Sequence, residues 1–296
     1  MQMKTPRFPP RFDYRFYIKD KDYLKSETEA EAHFKRVGLA EGLAGSMACN
    51  TGNFVRLIER MEPESVLEIG PGNAPKLMGP NVYYFDVKSR EELQSRYAGE
   101  PGKKNVPEKI HYVNSRGELG SVTRKFDVVF SSHMIEHSLD LIEHLNQVES
   151  LLNPGGYYFI IAPNKDFTFD YFKPDSIAED AIAHHISLGG QPGLSIRSLL
   201  LEKCRRTHND AKKHWSGDHG ELEHNGDSIR WVSDNFRKIN QDHIARCGYH
   251  NWIFTDRTFM DLIRDLNELE LISMKLEACY NTLYGTCSFN AILKSQ

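Results

Sequence analysis

The sequence predicts an α/β protein with a doubly wound, mostly parallel sheet of seven strands. Short, almost continuously apolar segments alternate with segments whose apolar residues recur at helical spacing. The first apolar segment, 66–69, stops at a turn that contains Gly70 and Gly72. Such a turn at the carboxyl end of a buried strand is typical of a sheet that binds a ligand at that edge. We therefore expect a ligand site directly after the first strand.

The elements of this sheet can be assigned in chain order. A helix over 50–61 precedes the first strand, because its apolar residues fall on one face. The predicted strands lie at 66–69, 81–86, 109–113, 126–131, 157–162, 269–280 and 288–294, and the helices between them at 89–97, 139–152 and 255–268. Residues 153–156, Asn-Pro-Gly-Gly, should end a helix and form a turn before the fifth strand. The alternation of strand and helix predicts right-handed crossovers.

Two segments fall outside this alternation and define the predicted domain organisation. Residues 1–48 are interpreted as a helical N-terminal extension that begins with a mobile, proline-rich and basic arm over 1–12. Residues 49–296 form the predicted main domain, and about 166–248 within it is too long for a loop. We interpret that stretch as an inserted substrate lid. The helices predicted in these segments lie at 26–37, 194–206 and 228–247.

Composition excludes several classes of protein. The chain has 296 residues, of which 40% are hydrophobic and 26% charged, so we expect a globular protein. A net charge of −4 argues against a general nucleic-acid binder. The five cysteines form no Cys-x-x-Cys pair, which favours reduced thiols. Neither a membrane span nor a secretory leader is recognisable, so the expected location is the cytoplasm.

Two acidic residues flank the glycine turn. Glu68 lies within the first strand, where a buried carboxylate is costly unless it has a function. Asp86 ends the second strand, about 20 residues further along, where an acidic side chain reaches the ribose hydroxyls of a nucleotide-like ligand. Gly70 and Gly72 allow the backbone to approach that ligand closely.

Four sequence blocks then occur in order, at 66–72, at Asp86, at 126–137 and at 152–156. Together they resemble those of class I S-adenosylmethionine-dependent methyltransferases, over roughly residues 55–165. The resemblance implies a Rossmann-like methyltransferase that uses S-adenosyl-L-methionine and whose sheet ends in an antiparallel strand pair.

The same resemblance implies a set of cofactor-binding residues. The glycine turn would hold the methionine end near Glu68, Asp86 would bind both ribose hydroxyls, and residues after the fourth strand would line the sulfonium side. The usual acidic residue near the adenine is absent, so Ser115 or backbone groups are expected there. The predicted set is Glu68, Gly70, Pro71, Gly72, Asn73, Asp86, Val87, Ser115, Ser131, Ser132, His133 and Met134.

A hydroxyl acceptor also needs a base, and the lid is rich in histidine. We predict His185 or its neighbour His184 as the base and His219 as the next candidate, since imidazole accepts a proton near neutral pH. In a region with this many histidines, any one of them is more often a surface or hydrogen-bonding residue. The His-x-x-Glu-His motif over 133–137 is similar to an inverted zinc-peptidase motif, and His208, His214, His219 and His224 form a second histidine set. Neither has the context of a familiar metal site, so no metal is predicted.

The N-terminal extension suggests the acceptor. Residues 12–17 and 33–42 resemble short segments of bacterial surface-polysaccharide enzymes, although a simple helical cap explains them as well. The resemblance implies a small-molecule or glycan acceptor, methylated on an oxygen of a sugar, glycan or nucleotide-linked sugar. Alternatives are a natural-product or quinone methyltransferase and an inactive cofactor-binding scaffold or partner subunit. An NAD-dependent dehydrogenase shares the glycine turn, but Pro75 interrupts its fingerprint. The sequence does not give the oligomeric state.

Overall fold

A computed structural model of the chain describes residues 6–99, 105–187, 196–222, 226–235 and 248–296. Its strands are β1 (Val66–Ile69), β2 (Val82–Asp86), β3 (Tyr112–Val113), β4 (Phe126–Ser132), β5 (Leu152–Pro163), β6 (Lys275–Tyr280) and β7 (Ser288–Lys294). These described strands form one sheet in the order β3-β2-β1-β4-β5-β7-β6. The first five strands are parallel, and β7 is antiparallel to both β5 and β6. The predicted doubly wound, mostly parallel sheet is confirmed.

Helices lie before, between and after these strands. They are α1 (Tyr14–Tyr17), α2 (Glu27–His33), α3 (Thr51–Met61), α4 (Arg90–Tyr97), α5 (Leu141–Leu151), α6 (Ala178–Ser187), α7 (Ile196–Cys204), α8 (Ala211–Trp215), α9 (Gly226–Asn235) and α10 (Asp256–Glu268). The N-termini of α5 and α10 are capped by Asp140 and Thr255, whose side-chain oxygens accept backbone N–H bonds. Among the described residues, no helix is both long and apolar enough to cross a membrane.

The sheet is covered by apolar side chains on both faces. Along β4, Val129 belongs to one buried cluster, whereas Val128 and Phe130 belong to the other. Successive residues of a strand point to opposite faces, so β4 contributes to two cores. The first core includes the apolar stripes of α5 and α10, and the second includes that of α3. Because both faces are covered, the carboxyl ends of β1, β2 and β4 provide the open edge at which a ligand can enter.

Several predicted boundaries are wrong for reasons that lie in the tertiary structure. Asn153–Gly156 was predicted as a turn, but β5 already begins at Leu152, which pairs with Phe126. The register shifts after Phe126, and the amide of Asn153 donates to Asp127 at 2.8 Å. A bulge therefore lets the strand include the glycines. Other corrections concern β3, which is limited to Tyr112–Val113, β6, which begins only at Lys275, and α5, which is shorter than 139–152.

The N-terminal extension is packed against the sheet, so the prediction of a mobile arm is wrong for its described residues. The Phe8 ring meets Tyr157 edge-on at 5.1 Å, and the Tyr280 hydroxyl donates to the Pro9 carbonyl at 2.8 Å. Arg11 forms an ion pair with Asp256 at the start of α10. The predicted helix over 26–37 begins as α2 and continues as a π-helix, Phe34–Gly38.

The lid helices are partly as predicted. The helix expected over 194–206 is α7, Ile196–Cys204. The helix expected over 228–247 corresponds to α9, Gly226–Asn235, and its remainder lies outside the described residues. The described parts of 166–248 do separate β5 from α10, while the proposed limits of extension, main domain and lid remain predictions.

Candidate active site

A cavity of about 270 Å³ opens at the carboxyl ends of β1, β2 and β4. Its volume is close to the lower end of the range for small-molecule sites, about 300–1,000 Å³. Of the predicted cofactor residues, the cavity is lined by Gly70, Gly72, Asp86, Val87, His133 and Met134. The sequence blocks at the ends of β1, β2 and β4 therefore identified part of the cavity wall.

The glycine turn has backbone geometry that other residues adopt with difficulty. Gly70 and Gly72 have φ angles of +71° and +51°. A Cβ atom on Gly70 would lie 3.1 Å from Cγ of Met134, which packs over the turn. The Gly70 amide donates to the Phe85 carbonyl at 2.8 Å and so fixes the turn to β2. A side chain at Gly70 would strain the turn and enter the cavity.

Asp86 joins the end of β2 to this turn. Its carboxylate accepts hydrogen bonds from the Gly72 amide at 3.2 Å and the Lys88 amide at 3.0 Å. The residue is 5% exposed, and burial raises the pKa of its carboxyl group above the ordinary value. Two bonds leave acceptor capacity on the carboxylate, which lines the cavity. This arrangement suits the predicted contact with two hydroxyl groups.

Glu68 supports the next part of the loop. Its carboxylate oxygens accept hydrogen bonds from the Lys76 amide at 2.8 Å and the Leu77 amide at 3.0 Å. Glu68 is buried beneath the loop and is not among the residues that line the cavity. Burial raises the pKa of Glu68 to about 7, although the two amides oppose this shift. Within the described structure Glu68 is a positioning residue, and direct contact with the cofactor stays a prediction.

His133 and Met134 follow β4 and face the turn. His133 has a φ of +51°, which is uncommon for a residue other than glycine. Its amide donates to the Ile161 carbonyl at 2.8 Å, and its Nε2 lies 2.8 Å from Oγ of Ser288. These bonds to β5 and β7 hold the strained residue with its ring at the cavity.

Other predicted cofactor residues do not line the cavity. The Ser131 hydroxyl is buried and pairs with the Tyr158 hydroxyl at 2.8 Å. Asn73 has a buried Nδ2 atom without a hydrogen-bond partner among the described residues. Pro71, Ser115 and Ser132 also lie outside the cavity wall, while Arg116 and Gly117, next to Ser115, line it.

Sequence reasoning missed a polar wall on two helices. Lys88, which precedes α4, and Arg96, within α4, line the cavity. The wall continues with a row on α5 and its cap: Asp140, Glu143, His144 and Gln147. Each member of this row lies three or four residues from two of the others, so they share one helix face. That periodicity on an amphipathic helix was a signal available in the sequence. Only the packing of α5 against the sheet determines that this polar face lines the cavity.

Two of the predicted bases, His184 and His185, contact residues of the cavity wall, whereas His219 is not among the wall residues. Nδ1 of His185 lies 2.7 Å from Oδ2 of Asp140, and Nε2 of His184 lies 2.7 Å from the Leu139 carbonyl oxygen. Asp140 and Leu139 are cavity residues, although neither histidine itself lines the cavity. His219 instead stacks on Tyr171, with ring centroids 3.7 Å apart.

The second histidine set is occupied by its own contacts. Nδ1 of His214 lies 3.1 Å from Nδ1 of His219, and Nε2 of His214 lies 3.1 Å from the His208 carbonyl oxygen. Both ring nitrogens of His214 are therefore engaged, so His214 has no free lone pair with which to bind a metal ion. His224 lies outside the described residues.

A family model described as a methyltransferase domain matches residues 47–240, more than half of the chain. The chain belongs to this family. The prediction of an S-adenosylmethionine-dependent methyltransferase is thus confirmed at the level of the family, including its cofactor. A comparison with curated proteins finds no match.

Solved structures similar to this chain include several methyltransferases. The CurJ carbon methyltransferase is 12% identical, with 91% of this chain and 58% of that chain covered and a TM-score of 0.39. The mitomycin 7-O-methyltransferase MmcR is 10% identical, with 96% and 61% covered and a TM-score of 0.39. CalS10, an amino pentose methyltransferase from Micromonospora echinaspora, is 16% identical, with 46% and 56% covered and a TM-score of 0.27. The chain thus spans a little over half the length of these proteins, and such low similarity carries no information about its acceptor.

Replacing Asp86 tests the ribose contact. We expect Asp86→Ala to weaken binding of S-adenosylhomocysteine by about 1–3 kcal/mol, because an ionic acceptor for two hydroxyls is lost. Isothermal titration calorimetry measures the change. Asp261→Ala, on the exposed side of α10, is the control and should bind like the wild type. Equal affinity of Asp86→Ala and the control would remove Asp86 from the site.

Replacing Glu68 tests the raised pKa. With a folded-state pKa of about 7 and an unfolded-state value near 4.5, Glu68 holds a proton more tightly in the folded protein. The wild type should therefore lose stability relative to Glu68→Gln as the pH rises from about 4.5 to about 7. Urea unfolding of both proteins across this range gives the difference. Glu59→Gln, an exposed substitution on α3, is the control. A constant difference at every pH would contradict the assignment.

Proposed function

We propose that this protein transfers the methyl group of S-adenosyl-L-methionine to an oxygen of a sugar, glycan or nucleotide-linked sugar. The observation that carries the proposal is that Gly70, Gly72 and Asp86 line the same cavity as His133 and His137, beside which we place the acceptor. The first group suits the cofactor, and the second suits a polar acceptor. Membership of the methyltransferase family supports the reaction type.

The described residues fit the cofactor at its ribose. Asp86 lines the cavity and keeps free acceptor capacity for a ribose diol beyond the hydrogen bond from Gly72. When bound, S-adenosyl-L-methionine supplies an activated methyl group on its sulfonium. The protein then has to align the acceptor, exclude water and remove a proton.

The acceptor hydroxyl loses a proton during transfer. Bound S-adenosyl-L-methionine would supply the methyl group and would leave as S-adenosylhomocysteine, and the protein's part would be to accept the hydroxyl proton on a base. We propose His185 for this role, with His184 beside it, because the His185 ring is held by Asp140, which lines the cavity. His219 remains the second candidate, although its stacking on Tyr171 and its contact with His214 favour a structural role.

A group of partly exposed aromatic rings supports a sugar acceptor. The rings of Phe167 and Trp215 are stacked at 3.8 Å, and Trp215 lies 5.6 Å from Tyr284, which is 63% exposed. The indole N–H donates to the Thr286 carbonyl, close in sequence to Ser288, the partner of His133. The β6–β7 loop therefore connects this aromatic group, through Thr286 and then Ser288, to His133 in the cavity wall. Partly exposed aromatic faces suit the C–H faces of sugar rings.

The alternatives fit the described residues less well. A natural-product or quinone methyltransferase would be expected to have a more apolar acceptor end than one lined by His133, His137 and Ser138. An inactive scaffold would be expected to have a damaged cofactor loop, whereas Gly70, Gly72 and Asp86 are all present with their turn geometry.

Binding and product analysis test the proposal. Calorimetry should detect binding of S-adenosylhomocysteine and none of NAD. Incubation with S-adenosyl-L-methionine and separate pools of nucleotide sugars, glycans and quinols should add a methyl group to a sugar, as seen by mass spectrometry. Binding of NAD alone would overturn the reaction type. Methylation confined to the quinol pool would overturn the acceptor class.

Substitution of His185 tests the base. His185→Ala should lower turnover by about 100-fold or more, because a positioned general base contributes about that factor. Affinity for S-adenosylhomocysteine should stay close to that of the wild type. His219→Ala, made in parallel, should retain most turnover. Full activity of His185→Ala together with a loss in His219→Ala would transfer the role to His219.

A further inference from the structure

Glu136 is a buried carboxylate that lacks the usual hydrogen-bond donors. It lies in the 3-10 helix Ile135–His137, directly after β4, and its side chain is 0% exposed. Among the described residues, no donor makes a hydrogen bond to either of its oxygens. A buried carboxylate without donors is costly, and a bound cation is one of the few groups that can compensate it.

Two imidazoles face this carboxylate. Nε2 of His137 lies 3.7 Å from Oε1 of Glu136, and His250 is the third member of the cluster. One donor atom from each of the three residues lies within 4.8 Å of the other two. Metal–ligand bonds of about 2.0–2.2 Å require donor atoms closer than this, so small side-chain rotations would complete a site.

Each imidazole is oriented by a second partner. Nδ1 of His137 lies 2.9 Å from the Tyr249 carbonyl oxygen, and Nδ1 of His250 lies 2.5 Å from Oδ2 of Asp170. A nitrogen that donates to an oxygen leaves the opposite ring nitrogen with its lone pair, as in histidines that bind metal ions. Both rings therefore have Nε2 available as a ligand atom.

A buried lysine holds the outer partner in place. Nζ of Lys173 lies 2.6 Å from Oδ1 of Asp170 and 2.6 Å from Oε2 of Glu202 on α7. The Lys173 side chain is 0% exposed, so these two carboxylates replace its water shell. The chain of contacts from α7 through Lys173 and Asp170 to His250 fixes one ligand to the lid.

We propose that Glu136, His137 and His250 bind one divalent transition-metal ion, with Zn²⁺ as the best match. Two imidazoles and one carboxylate are ligands typical of Zn²⁺ and similar ions, whereas Mg²⁺ and Ca²⁺ prefer oxygen alone. His133, whose Nδ1 lies 3.8 Å from Oε1 of Glu136, lines the cavity beside this cluster. The site departs from the sequence-based prediction of no metal, because His250 could not be assigned to the motif over 133–137.

A role in acceptor binding follows if the proposed function holds. His137 lines the cavity, so an ion held by its ring would lie beside the acceptor end. There it would attract an acceptor oxygen and orient it, without taking part in cofactor binding. Metal binding itself is independent of this role and can be measured without any methyl acceptor.

The competing explanation is that Glu136 is compensated by a protonated histidine and needs no metal ion. Burial opposes charge on His250, but the hydrogen bond and charge of Asp170 raise its pKa above the ordinary value. A protonated His250 would then stabilise Glu136 as an ion pair. The two explanations differ in one measurable respect, since only the first requires a stoichiometric metal ion.

Metal analysis of the whole protein tests the proposal. The purified chain is treated with a chelator, dialysed, and offered Zn²⁺, Co²⁺ or Mg²⁺ separately. Mass spectrometry of the metal content should find about one equivalent of Zn²⁺ or Co²⁺ and none of Mg²⁺. The Co²⁺ protein should show the visible absorption of a nitrogen- and oxygen-ligated ion, and Zn²⁺ should raise the melting temperature.

Variants distinguish this site from adventitious binding. Glu136→Gln should lower Zn²⁺ affinity at least 10-fold, because a charged ligand is lost. Asp170→Asn should lower the affinity about 10–100-fold, because the ring of the ligand His250 is no longer oriented by a carboxylate. His208→Ala, in the second histidine set, is the control and should retain the ion. Circular dichroism and S-adenosylhomocysteine binding of the same samples report folding and the cofactor site separately.

Two results would overturn the proposal. One is a wild-type protein that binds S-adenosylhomocysteine but retains no Zn²⁺ or Co²⁺, a result that does not depend on any variant folding. The other is retention of the ion by Glu136→Gln together with its loss from His208→Ala. Failure of the proposed function would appear differently, as metal binding without methyl transfer to a sugar.

Discussion

The site depends on one hydrogen-bonded turn between two parallel strands. Gly70 and Gly72 adopt positive φ angles after β1, and the Asp86 carboxylate at the end of β2 accepts the Gly72 amide. The residue expected to bind the ribose therefore also holds the turn that makes room for the methionine end. This coupling explains why a small segment of backbone defines the cavity. Met134 packs over Gly70 and leaves little space for a larger residue there.

Two buried glutamates near this turn illustrate opposite solutions to the same energetic problem. Glu68 accepts two backbone amides, so its burial is compensated within the protein and it fixes the loop. Glu136 receives no comparable donor from the described residues and faces imidazoles instead. The difference separates a carboxylate that supports structure from one that is prepared for an additional group. Glu68 lies within β1 and Glu136 follows β4, and both strands are central in the sheet.

Sequence patterns predicted the sheet well because burial and amphipathic spacing are local properties. They predicted the ends of elements less well, since β5 begins at Leu152 through pairing with β4 and a bulge. In the site, the motifs gave Gly70, Gly72 and Asp86, whose function depends on backbone shape and on position at a strand end. The polar row on α5 was missed because helix spacing shows that residues share a face but not where that face points. The arm over 1–12 is predicted to be mobile from its proline-rich, basic composition. The contacts of its described residues with Tyr157, Tyr280 and Asp256 are distant in the chain and leave no local pattern.

By itself, the sequence determined a methyltransferase-type fold, its cofactor and the edge of the sheet at which the cofactor is expected. These follow from short blocks whose geometry is nearly independent of the rest of the chain. Only the tertiary structure decided that Asp140 meets His185, and that His250 joins Glu136 and His137. Those contacts depend on how the lid folds back between β5 and α10, where no short-range periodicity records which side chains will meet. The physical reason is that the partner of a buried charge depends on proximity in space, and apolar packing determines which distant segments are brought together.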